Sequence, residues 1–86
     1  MNQEVIDRLR QVLRDHGRLP TDADALAPEA DLYEAGMTSH ASVNVMLAVE
    51  DAFDVEFPDE LLKRSVFESM ASMATAVTRL QAEQAA

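Results

Sequence analysis

Ser39 is the residue whose type and setting could do chemistry. It follows Gly36-Met37-Thr38 and opens an apolar segment that closes on Glu50-Asp51. Gly36 permits a tight turn with positive φ, and a hydroxyl residue ahead of a helical run is an N-cap, so Ser39 is expected to be exposed where a loop meets a helix. A phosphodiester on its hydroxyl would lie beside backbone N–H groups that have no intrahelical partner, at the positive end of the helix dipole. On local sequence alone Ser39 reads first as an ordinary cap, and only several features taken together reverse that reading. His40 reads as an exposed first-turn residue, with catalytic help or a pH-sensitive partner contact as the sharper alternatives. Glu50 and Asp51 are sequence neighbours, about 100° apart on a helix, and do not converge on one atom for acid–base work. They read as a charged rim facing basic partner surfaces, or as a solvated helix end. No His/Asp/Glu set has metal-ligand spacing. With no cysteine there is no thiolate site or disulfide, and Gly17 and Gly36 are the only glycines, too few for a phosphate loop.

The elements that must position Ser39 are legible from apolar spacing. Val5, Ile6, Leu9, Val12 and Leu13 form a 3.6-residue stripe that predicts a first helix over 3–16, with Arg8, Arg10 and Arg14 off the stripe and Gly17 as its stop. From Arg18 to Thr38 the pattern dissolves into a long loop punctuated by Pro20, Pro28 and Gly36. A loop of this length needs a purpose, and Leu19, Leu26, Leu32, Tyr33 and Met37 are expected to tack it to the core. A second helix over 39–53 places Val43, Met46, Leu47, Glu50 and Phe53 on one side. Val45, Ala48, Val49 and Ala52 widen its apolar surface, as suits a central or partner-covered helix. Pro58 predicts a short third helix to about Arg64. Met70, Met73, Val77 and Leu80 predict a fourth over 69–81, with a disordered tail at 82–86. The methionines read as core filler, and Met37 also as a neighbour of whatever Ser39 carries. The expected architecture is an all-α four-helix bundle in one domain, its core spanning about 3–81.

The 86 residues allow only a small core, which disfavours a deep catalytic cleft. Sixteen acids against seven bases give a net charge of −9. Eleven of the acids fall between Pro20 and Leu62, where there is no Lys or Arg. That field repels nucleic acid and anionic membranes and steers basic partners, although acidity also simply keeps a small protein in solution. No stretch approaches the roughly 20 apolar residues of a membrane span. Met1-Asn2-Gln3-Glu4 has no secretion-signal pattern, so the expectation is a cytoplasmic monomer.

The order of these features resembles the acyl and peptidyl carrier protein family. In that family an acidic residue, a Leu, a spacer and a Gly precede a modified Ser at the start of the second helix. Gly36-Met37-Thr38-Ser39 is similar to the Gly-x-Asp-Ser stretch. Met46-Leu47-Ala48-Val49-Glu50-Asp51-Ala52-Phe53 is similar to the family's helix end, and Glu56-Phe57-Pro58-Asp59-Glu60 to its Glu-Ile-Pro-Asp-Glu. The resemblance runs from about Val5 to Leu80. It implies a 4'-phosphopantetheine arm on Ser39, taken from coenzyme A by a phosphopantetheinyl transferase and flanked by Met37, Thr38 and His40. It further implies partner contacts at Leu32, Val43, Asn44, Glu50 and Asp51, and no catalysis by the chain itself. His40 and Asn44 depart from fatty-acid carriers. Met37-Thr38-Ser39-His40 is similar to stand-alone aminoacyl carrier proteins, which a seryl-tRNA-synthetase-like amino acid:carrier protein ligase loads before a downstream acceptor takes the aminoacyl group. A fatty-acid or polyketide carrier is the alternative, and a helical adaptor without a prosthetic group a further one.

Overall fold

The computed structural model describes residues 3–85. Four α-helices and two 3₁₀ turns make up its regular structure: α1 (Gln3–His16), a turn at Ala23–Ala25, α2 (Ser39–Phe53), a turn at Asp59–Leu61, α3 (Arg64–Phe67) and α4 (Met70–Ala85). Among the described residues there is no strand. The first two helices have the bounds their apolar spacing predicts. The third does not: Pro58 precedes the 3₁₀ turn at 59–61, Lys63 is extended, and only then does α3 begin. Phe67 explains the shift, because it is buried and meets Phe57 edge-to-face with ring centroids 5.3 Å apart. That aromatic pair anchors the segment further along the chain than the proline signal suggests. The fourth helix continues beyond Gln81, its expected end, to Ala85, and Gln84 donates to the Asp54 carbonyl at 3.2 Å. Ala86 lies outside the described residues.

The α1 stripe is buried throughout, and α1 packs against both α2 and α4. Met70, Met73, Val77 and Leu80 bury the inner face of α4. The α2 helix does not turn inward on the side that the spacing of Val43, Met46, Leu47, Glu50 and Phe53 suggests, although Met46 and Phe53 pack against the edge of the core. Ala41, Val45 and Val49 face the core, whereas Val43 is 51% and Leu47 54% exposed. A periodicity reading of a helix apolar on most sides cannot choose between its faces.

The long first loop is tied down rather than loose. Arg10 on α1 donates through one guanidinium nitrogen to the carbonyls of Ala23 and Leu26, each at 2.7 Å. The Leu32 N–H bonds the Glu68 carbonyl at 2.7 Å and the Ala71 N–H bonds the Pro28 carbonyl at 2.9 Å, which stitches the loop to the start of α4. Ser69 and Ser72 cap that start reciprocally: the Ser72 N–H donates to Ser69 Oγ at 3.0 Å and the Ser69 N–H to Ser72 Oγ at 3.3 Å. This is a capping box with a serine in place of the usual acid.

Candidate functional site at the start of the second helix

The loop delivers Ser39 through a chain of local constraints. Asp31 Oδ1 accepts from the N–H groups of Tyr33 and Glu34, an Asx turn that bends the chain. Leu32 then drops fully into the core, and its carbonyl accepts from the Met37 N–H at 2.9 Å, which closes the turn around Gly36. Gly36 has φ +119, a conformation only glycine adopts without strain, and a Cβ there would lie 2.6 Å from Pro20 Cδ. Thr38 comes next in an extended conformation and serves as the N-cap, its Oγ1 accepting from the Ala41 N–H at 3.0 Å. The cap is therefore Thr38, and Ser39 is the first residue of the helix proper. Its side chain is exposed, and its hydroxyl has no hydrogen-bond partner among the described residues. The amides of Ser39 and His40 lie in the first turn, without an intrahelical acceptor.

Beside Ser39 lies a groove of about 410 Å³ between α2 and the α3 region, lined by Tyr33, Ser39, Ser42, Val43, Met46, Leu62, Lys63, Arg64 and Phe67. Of these, Tyr33, Ser42, Leu62, Lys63, Arg64 and Phe67 escape a sequence reading, because they come from three separate segments. The signal for two of them is present: Lys63-Arg64 ends the base-free acidic stretch. A second groove, of about 910 Å³, runs between α1 and α2 and is rimmed by charged groups, among them Asp7, Arg8, Asp15 and Asp51.

The expected site residues separate into three groups. Ser39, Thr38 and His40 are exposed together at the helix start, with Met37 buried directly beneath. Val43 is exposed on the groove edge, whereas Asn44, half-buried, and Asp51, exposed, line the groove between α1 and α2. Leu32 and Glu50 are placed differently from an open contact surface. Leu32 is fully buried and has no surface to offer a partner, because the Asx turn at Asp31 forces it inward. Glu50 is half-buried, and its Oε2 accepts from the Phe57 N–H at 2.8 Å, so its carboxylate braces the chain leaving α2 instead of forming a rim. Among the described residues no group of three or more metal-ligating side chains assembles, and no helix is long and apolar enough to cross a membrane.

A family model described as a phosphopantetheine attachment site matches residues 4–77. The chain belongs to the phosphopantetheine-attachment family of carrier proteins. The cofactor of that family is a 4'-phosphopantetheine group held on a serine. Among curated relatives, the aminoacyl carrier protein of Agrobacterium fabrum is 55% identical over 62 residues, spanning 72% of this chain and 75% of that protein. The acyl carrier protein of a Picosynechococcus species is 31% identical over 65 residues, spanning 74% and 78%. An engineered Bradyrhizobium japonicum glycine:carrier protein ligase has been solved in complex with a carrier protein from Agrobacterium tumefaciens and ATP. A chain of that crystal structure matches with TM-score 0.85 and 47% identity, covering 87% of this chain and 97% of that one. A solution structure of a protein from Agrobacterium tumefaciens matches with TM-score 0.73 and 46% identity, covering 94% and 99%. The four-helix architecture is thus that of the carrier proteins. The residues here fit the cofactor: a serine hydroxyl free of capping duty, first-turn amides for a phosphodiester, and an adjoining groove without a carboxylate.

Proposed function

We propose that this protein is an aminoacyl carrier protein whose 4'-phosphopantetheine is attached to Ser39 Oγ. The observation that carries the assignment is the unengaged Ser39 hydroxyl, exposed at the start of α2 because Thr38 has taken over the cap. Phosphopantetheinyl transfer forms a bond from Ser39 Oγ to the pantetheine-side phosphorus of coenzyme A and breaks the phosphoanhydride, with adenosine 3',5'-bisphosphate leaving and the hydroxyl proton passing to a base on the transferase. The bound group supplies a thiol on which an acyl group is held as a thioester.

The protein's own residues present the attachment point. Gly36 sets the turn, Thr38 caps the helix, and the first-turn amides and helix dipole favour the phosphodiester. Tethering raises the concentration of cargo at a docked enzyme, so the chain needs no catalytic residues of its own. The loading partner is an amino acid:carrier protein ligase, a reading supported by the relatives found in complex with and named for such chemistry. Exposed Val43, with Asn44 and Asp51, is the surface offered to such partners, and His40 flanks the arm. The protein acts as a cytoplasmic monomer and binds neither nucleic acid nor membrane, consistent with its charge of −9.

Incubation with coenzyme A and a broad-specificity phosphopantetheinyl transferase, followed by intact-mass measurement, tests the attachment. Wild type gains the mass of one phosphopantetheine and Ser39→Ala gains none. Absence of gain on wild type, or an equal gain on Ser39→Ala, rejects the assignment. Offering the modified protein amino acids or fatty acids with their ligases then tests the cargo, and loading by fatty acids alone would make it an acyl carrier.

A further inference from the structure

The groove beside Ser39 is electrostatically unlike the rest of the central chain. In a protein of charge −9, with eleven acids and no base between Pro20 and Leu62, no Asp or Glu lines this groove, whereas Lys63 and Arg64 both do. Neither is in an ion pair among the described residues, unlike Arg14 and Arg79. Arg64 is also held in place. Its guanidinium stacks 4.0 Å from the centroid of the Tyr33 ring, and Tyr33 is itself set by the Asx turn at Asp31. A planar cation on an aromatic face loses less freedom when it meets an anion than a free side chain does.

We propose that Lys63 and Arg64 form a cationic seat for the phosphodiester on Ser39, offsetting the repulsion between that anion and the acidic chain around it. The proposal rests on attachment at Ser39, but the seat itself is built by residues from beyond the base-free stretch, which the fold brings to the same groove. Before modification two unpaired cations line that groove. After modification an anion stands beside them, and charge-assisted contacts of a guanidinium or ammonium with phosphate oxygens become available. The modified form should therefore be the more stable one, and the more salt-sensitive.

The test compares unmodified and modified protein for wild type, Lys63→Gln/Arg64→Gln and Arg64→Lys, with modification verified by intact mass. At low ionic strength the double substitution should lower the difference in Tm between modified and unmodified forms by about 2–8 °C relative to wild type, from two exposed pairs in a chain of this size. In about 1 M NaCl that difference should collapse, because screening then acts within about 3 Å. Arg64→Lys, which keeps the charge and loses the stacked fork, should retain part of the effect. On modification of wild type, the ¹⁵N resonances of Lys63 and Arg64 should move together with those of Ser39 and His40. An unchanged Tm difference in the double variant, or unmoved Lys63 and Arg64 resonances in fully modified wild type, overturns the seat and leaves attachment at Ser39 standing. No mass gain at all removes the attachment and the seat with it.

Discussion

Replacing Gly36 by alanine probes the turn that aims Ser39, and its cost can be worked from the geometry. At φ +119 an L-residue is strained by about 1–3 kcal/mol. The added Cβ would lie 2.6 Å from Pro20 Cδ and 2.8 Å from Pro20 Cγ, atoms of a closed ring that cannot swing aside. Such an overlap costs about 1–3 kcal/mol more. The restricted unfolded chain returns about 0.4–1 kcal/mol, which leaves a net loss of about 1–5.5 kcal/mol. At about 0.05–0.15 kcal/mol per residue, the whole stability of an 86-residue chain is about 4–13 kcal/mol. Urea unfolding monitored by circular dichroism should show Gly36→Ala losing about 1 M or more in midpoint, given a slope near 1 kcal/mol per molar for a small chain. Pro20→Ala in the same chain separates the two causes, since it removes the ring and leaves the φ strain. The double variant should recover the overlap share, about 1–3 kcal/mol, measured as a coupling energy. A Gly36→Ala midpoint within about 0.3 M of wild type would refute the reasoning, and zero coupling with Pro20 would leave backbone strain as the whole effect.

Arg10→Met keeps the aliphatic stem but takes the Arg10 donor from both carbonyls, leaving Ala23 only the Leu26 N–H at 3.2 Å and Leu26 no donor among the described residues, and should cost about 1–3 kcal/mol. Faster hydrogen exchange in the 18–38 loop than in α4 would be its signature. Asp54 sits at φ 53 as the left-handed residue ending α2, so Asp54→Gly should stabilise by about 0.5–1 kcal/mol in the same urea assay. Leu47→Asp, at a 54% exposed position, should change stability by no more than about 0.5 kcal/mol, while lowering kcat/KM for loading by a ligase about 5–30-fold through a contact worth about 1–2 kcal/mol. Loading at the wild-type rate would show that this face of α2 is not the docking surface.

Much of the fold was legible because its signals are local. The α1 stripe has all five apolar residues on one face and none elsewhere in its middle, so one orientation satisfies it. The α2 helix has apolar groups on most of its circumference, valines both inside and outside, and only packing against α1 decides that Ala41, Val45 and Val49 go inward. Pro58 is followed by a 3₁₀ turn where the proline signal predicts the third helix, because the packing of Phe57 on Phe67 acts across a sequence gap that a helix-start signal does not span. The same holds for the site. The exposure of Ser39 at the start of α2 is readable from Gly36, Thr38 and the apolar run up to Glu50, whereas Arg10 reaching across to the loop carbonyls, and Lys63 and Arg64 reaching the groove of Ser39, depend on contacts that no spacing rule encodes.

The register of α2 ties its packing to its chemistry. Thr38 as cap and Ala41, Val45 and Val49 as inward residues are one choice, because each position obeys the same helical phase. A slip of one residue would rotate the helix by about 100°, carry Val45 and Val49 away from α1, and hand the capping role to Ser39. Modification of a capping hydroxyl would then compete with a hydrogen bond worth about 1 kcal/mol, and the reactive group would point back along its own helix. The correct register avoids both, and what enforces it is hydrophobic: two buried valines on α2, Leu32 sunk in the core and Gly36 pressed against Pro20. A free Ser39 hydroxyl is in this sense a product of core packing, so changes that loosen the core near α2 should reduce the rate of modification even where they leave Ser39 and its neighbours untouched.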